Sequence, residues 1–149
     1  MWLDGTTNQG VILHEFGHNF GLQHANYWNF DSSNGSSTNP VDPTGSNEEY
    51  GDDFDNMGDG SFNEGHFHVA AKQYLQWIAT TEWTDLQNSA DNGTYRLHRF
   101  DDIDAGNLQA LRITKSATAD HYWVGYRHTY DNLETFRKGA YLTLSLIHI

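Results

Sequence analysis

His14-Glu15-Phe16-Gly17-His18-Asn19-Phe20-Gly21-Leu22-Gln23-His24 sets three imidazoles, a carboxylate and two glycines in one short run. The run fits H-E-x-x-H-x-x-G-x-x-H at every fixed position. On a helix, residues four apart stand one turn above each other on one face. His14 and His18 can therefore each aim a ring nitrogen at one ion, at about 2.0–2.1 Å if it is zinc. Glu15 sits beside that face, near the ion without being forced onto it. Gly21 lets the chain leave the helix at positive φ, which a Cβ penalises, and the turn returns His24 as a third ligand. Leu13, Phe16 and Phe20 fall on the opposite face and are expected to anchor the helix in a core.

Three neutral histidines with an open fourth position make a catalytic site rather than a closed structural one. One Zn2+ there would bring the pKa of its bound water to about 7. Glu15 would take that water's proton as general base and pass it to a leaving amine. The chemistry this predicts is metal-assisted hydrolysis of a peptide bond. The competing explanation is an ordinary helix that happens to carry two histidines. At this composition the five fixed positions would coincide by chance in roughly one sequence in ten thousand, which favours the metal site.

The motif resembles that of the metzincin metallopeptidases, whose pattern continues with a methionine-containing turn beneath the metal. Met57, within Glu49-Tyr50-Gly51-Asp52-Asp53-Phe54-Asp55-Asn56-Met57-Gly58, is the matching methionine. The Y-G-D-x-x-D-x-M-G stretch, with the following His66, Lys72 and Leu75-Gln76-Trp77, looks like the gametolysin-type group. The resemblance covers about residues 3–78 well and the rest loosely. It implies His14, His18 and His24 as zinc ligands, Glu15 as the base and Met57 as a structural Met-turn residue. It also implies an extracellular zinc protease acting on protein or peptide substrates, often matrix or cell-wall proteins in this group. No tyrosine follows Met57 two positions on, so the additional tyrosine ligand of some metzincins has no counterpart there. The metzincin N-terminal subdomain, with its substrate-holding strand, would lie before residue 1. Met1-Trp2-Leu3-Asp4-Gly5 lacks the basic start and apolar stretch of a signal peptide, and Met1 is read as an internal residue of a longer chain. Without a covering subdomain, Leu13, Phe16 and Phe20 would form an exposed apolar patch.

The elements that must position these residues can be read from pattern. Residues 9–30 are apolar at helical spacing. Residues 31–65 are rich in Asn, Asp, Gly and Ser, contain Pro40 and Pro43, and read as a long ordered loop. A helix is expected at 64–78, where Phe67, Ala70, Ala71, Tyr74, Leu75 and Ile78 recur at spacings of three and four. Alternation at 94–100, at 110–114 and across 121–127 predicts strands separated by Asp91-Asn92-Gly93 and Asp104-Ala105-Gly106-Asn107. The fold class expected is α+β. Residues 1–79 would form the C-terminal part of a catalytic domain and 80–143 a truncated, antiparallel, sandwich-like β module. Residues 144–149 alternate like a strand, yet they reverse-translate to CTG TCT CTT ATA CAC ATC, a transposon-end adapter, and are read as a library artefact.

Composition narrows the function. Of 149 residues, 8 are Lys or Arg and 20 are Asp or Glu, for a net charge of −12. That balance argues against nucleic acid and anionic membranes, which need basic faces. No apolar run approaches the roughly 20 residues of a membrane span. The absence of cysteine removes disulfides and thiolate metal sites.

Other features carry rival readings. Asp53 to Glu64 nearly fits an EF-hand loop, but Met57 occupies a position that needs a hard oxygen. Looser Ca2+ binding by Asp52, Asp53, Asp55 and Asp59 is weighed against an acidic, solvated loop. His66 and His68 lie two apart and would not chelate one ion from a helix. His98, His121 and His128 fall in strand patterns, with no metal role expected. Trp77, Trp83 and Trp123 could line a sugar-binding face, although core packing is the commoner use. The reading is a secreted zinc endopeptidase. Its alternatives are an inactive metal-binding fragment, or a carbohydrate- or protein-binding β module with a vestigial protease part.

Overall fold

The computed structural model describes residues 5, 7–30, 45–59, 66–101, 106–114, 120–128 and 139–145. The chain forms two compact units, Met1–Phe67 and His68–Ile149. It is a mixed α+β protein. Among the described residues no helix is long and apolar enough to cross a membrane. The segment at 144–149 lies largely outside the described residues, as does much of the 31–65 loop.

The first unit is built on helix α1, Gln9–Asn19. Asn8 starts it, its side-chain oxygen accepting from Val11 N at 3.2 Å and satisfying one of the orphan amides of the first turn. Its end is a Schellman turn. Gly21, at φ +87°, donates its N–H to His18 O, and Leu22 N reaches back to Gly17 O, each at 3.0 Å. The left-handed exit expected of Gly21 is therefore present.

Helix α1 packs through its small residues and leaves exposed the two phenylalanines of the apolar patch expected of an uncovered helix. Gly10, His14 and Gly17 are buried, whereas Phe16 and Phe20 are 43% and 49% exposed. The reason lies at Gly17, where a Cβ would stand 2.1 Å from Met57 Sδ and 3.1 Å from the Phe67 ring. A bare backbone lets these two side chains press against the helix, so the face lacking large residues is the packed one.

Strands β1 (Tyr27–Asn29) and β2 (Ser46–Glu48) pair antiparallel with Tyr27 opposite Glu48. This register carries the chain after β2 back to the segment that leaves α1. The loop that follows is held by Asp52 N to Ala25 O at 3.4 Å and Ala25 N to Met57 O at 2.7 Å. A parallel bridge joins Asp55 to His66.

In the second unit, helix α2 (Val69–Tyr74) packs on a four-stranded sheet of order β3-β4-β5-β6. The strands are Trp83–Leu86, Ala110–Thr114, His121–Gly125 and Tyr141–Ser145. Val69, Ile78, Phe100, Ala110 and Trp123 form the core, and Gly125 admits Val69 and Phe100 against the sheet. Arg112 lies 4.7 Å from the Trp83 ring and 5.9 Å from that of Trp123, with two hydrogen bonds to Asp85. That pairing holds the Asp85 carboxyl below its ordinary pKa. Trp83 and Trp123 are thus packing residues, while Trp77 is half exposed.

Three expectations are corrected. The helix expected at 64–78 is only Val69–Tyr74, because Gln76 adopts φ +59° and closes it with Trp77 N to Lys72 O at 2.8 Å. Residues 94–99 form no strand despite their alternation; they make isolated contacts such as His98 N to Leu108 O. The sheet is not purely antiparallel, since β3 and β4 run parallel. Buried Glu82 sets up that pairing, its carboxylate accepting from Ala79 N and Gly106 N and its carbonyl from Gln109 N.

Candidate metal centre

His14 and His18 rise from one face of α1, and the Schellman turn delivers His24 beside them. Their ligand-capable nitrogens all lie within 4.8 Å of one another. His18 Nε2 is 3.1 Å from His14 Nε2 and 3.2 Å from His24 Nε2.

The opposite ring nitrogens fix the tautomer. His14 Nδ1 donates to Asn56 O at 2.8 Å, and His18 Nδ1 to Leu22 O at 2.9 Å. His24 Nδ1 donates to Glu49 Oε1 at 2.8 Å. Carbonyl and carboxylate oxygens only accept, so each Nδ1 carries the proton. In the neutral rings every Nε2 then presents a lone pair, and the short Nε2–Nε2 approaches are not hydrogen bonds. Three inward lone pairs repel unless a cation lies among them. Nitrogens bonded at 2.0–2.1 Å to a tetrahedral zinc stand about 3.3 Å apart. The triad fits such an ion in donor type and tautomer, and the His14–His18 and His18–His24 separations match that spacing.

Behind the three rings stand two main-chain carbonyls and one carboxylate, partners that ligand histidines usually require. Asn56 O is presented by the turn that carries Met57. In that turn Met57 N donates to Asp55 Oδ1 at 2.7 Å and Gly58 N to Asp55 O at 3.0 Å. Met57 is 2% exposed, with its thioether under Gly17. Glu15 is half-buried on α1, next to His14.

Among the described residues the three histidines are the one group of three or more His, Asp or Glu placed to hold an ion. Asp52, Asp53, Asp55 and Asp59 are not brought together in this way. Asp52 and Asp55 turn their carboxylates onto nearby amides, Phe54 N and Met57 N, and Asp53 and Asp59 are exposed. His66 serves the bridge to Asp55.

Two neighbours were not singled out by the sequence. Glu49 bonds His24, and the Tyr50 ring lies 3.9 Å from that of His24 and 5.9 Å from that of His14. Tyr50 opens the Y-G-D stretch and Glu49 immediately precedes it, which was the available signal.

No curated protein and no solved structure matches the chain. Residues 4–46 match a family described as dual-action HEIGH metallo-peptidase, a span that contains the whole triad but less than half of the chain. Over that span the chain is similar to a zinc metallopeptidase family, which supports a metal-dependent peptidase acting on protein.

Proposed function

We propose that this chain is a zinc endopeptidase of the metzincin type. The observation that carries the reading is the convergence of three Nε2 lone pairs whose Nδ1 protons are all committed elsewhere. His14, His18 and His24 would hold the ion. When bound, zinc supplies a Lewis acid that makes water nucleophilic at neutral pH and polarises a carbonyl.

Glu15 acts as the proton carrier. Its half-buried position on α1, one residue beyond His14, supports that role. It accepts the proton of the attacking water on a carboxylate oxygen and returns it to the leaving amine nitrogen. Asn56 O, Leu22 O and Glu49 keep the three rings in one tautomer.

The buried thioether of Met57 beneath α1 supports a Met-turn, and the Y-G-D-x-x-D-x-M-G stretch supports the gametolysin-like subgroup. With that subgroup come secretion and an extracellular protein substrate, of matrix or cell-wall type. The test is cleavage of an unstructured protein such as casein. Activity should vanish on chelation and return with zinc. Activity indifferent to chelation overturns the reading.

A further inference from the structure

We propose that Glu49 and Tyr50 act as a two-residue clamp that positions His24 for the metal. This rests on the reading of the triad as a zinc site. His14 and His18 are held by α1, whose hydrogen-bond ladder fixes their backbones. His24 has no such support. It follows the Schellman turn in an irregular segment and is 23% exposed. A ligand so placed must be held from outside its own segment, or its ordering cost reduces metal affinity.

The neighbouring segment supplies that support. The β1–β2 register sets Tyr27 opposite Glu48, so the residues just after β2 return beside those just before β1. Glu49 Oε1 accepts the His24 Nδ1 proton at 2.8 Å, which fixes the ring's tautomer and rotation about its long axis. The Tyr50 ring lies against the same ring, centroids 3.9 Å apart and planes tilted by 35°, which limits its tilt. One contact lies in the plane of the imidazole and the other on its face, so together they leave the ring one orientation.

The backbone is bent to make both contacts. Tyr50 adopts φ +62°, unusual for an aromatic residue. Asn26 Oδ1 accepts from Tyr50 N at 3.2 Å, and Gly51 N closes onto Glu48 O at 3.2 Å. Glu49 is 65% exposed, so nothing in core packing requires its carboxylate where it is. Orientation of His24 accounts for both side chains at once.

The experiment is zinc affinity of the full chain by chelator competition, together with the visible spectrum of the cobalt-loaded protein. Glu49→Ala should weaken zinc binding about 10–100-fold and alter the cobalt spectrum. Tyr50→Asn, which tolerates the left-handed backbone but lacks the ring, should also weaken it. Tyr50→Phe should restore what Tyr50→Asn loses. In a His24→Ala background neither substitution should cost anything further, a result that a purely structural role would not give. Affinity within threefold of the parent chain in Glu49→Ala and Tyr50→Asn overturns the clamp while leaving the zinc site intact. Further loss in the His24→Ala background, or no restoration by Tyr50→Phe, also overturns it. A parent chain that binds no zinc overturns the underlying site and the clamp with it.

Discussion

The Nε2 atoms of His14 and His18 stand 3.1 Å apart although each ring gives its Nδ1 proton to a main-chain oxygen. The same relation recurs between His18 and His24 at 3.2 Å. A proton added to one ring would satisfy one of these approaches. A cation among the three satisfies all of them, which is why the arrangement reads as a metal site rather than a histidine cluster on a helix.

Glu15→Gln should reduce peptide cleavage by about 10²–10⁴-fold, the usual worth of a positioned general base. Zinc content should not change, because the amide removes a base and no ligand. Side-by-side measurement of casein cleavage and metal content checks this. Loss of zinc together with activity would instead make Glu15 part of the binding set.

Gly58→Ala should destabilise the first unit and weaken zinc binding. A Cβ there would stand 1.9 Å from Asp52 O, a main-chain atom that cannot rotate away. The loop would have to shift, and it carries both Met57 and the Asn56 carbonyl that holds His14. Overpacking of this kind costs about 1–3 kcal/mol, or roughly 4–8 °C in melting temperature per kcal/mol for a unit of this size. Thermal melting is the measurement, and an unchanged midpoint would contradict the account of the turn.

What was legible in the sequence follows from period and backbone chemistry. His14 and His18 share a face by helical spacing alone, and Gly21 announces the turn that returns His24. Phe16 and Phe20 stay exposed, the apolar patch expected of α1 without a covering subdomain, but the packed face at Gly17 was not legible, because packing there exploits a missing side chain. The end of α2 was misplaced because Gln76, not a glycine, takes the left-handed position. The alternation of Thr94–Phe100 gives faces, not partners, and among the described residues that segment pairs with no strand. Period two is likewise blind to direction, so the parallel pairing of β3 and β4 left no trace. Glu49 and Tyr50 meet His24 across 25 residues through the β1–β2 register, which residue types alone do not encode.

Lys72 gives the second unit a pH signature. Burial lowers its pKa from 10.5 to about 8, against the raising effect of Asp101, with Arg127 adding to the lowering. Its ammonium donates to Phe100 O within the core. Between pH 8 and 10.5 the unfolded chain therefore binds more protons at this residue than the folded one. Stability contributed here rises with pH across that window. Denaturant unfolding at several pH values should show this rise in the parent chain relative to Lys72→Met, whose difference curve would otherwise be flat.

Elemental analysis of the purified chain shows whether His14, His18 and His24 together hold one zinc. About one zinc per chain is expected, with loss of most of it in His18→Ala, an exposed helical position where alanine preserves the fold. A folded chain that takes up no zinc from zinc-supplemented buffer, or a His18→Ala variant that keeps its zinc, would contradict it.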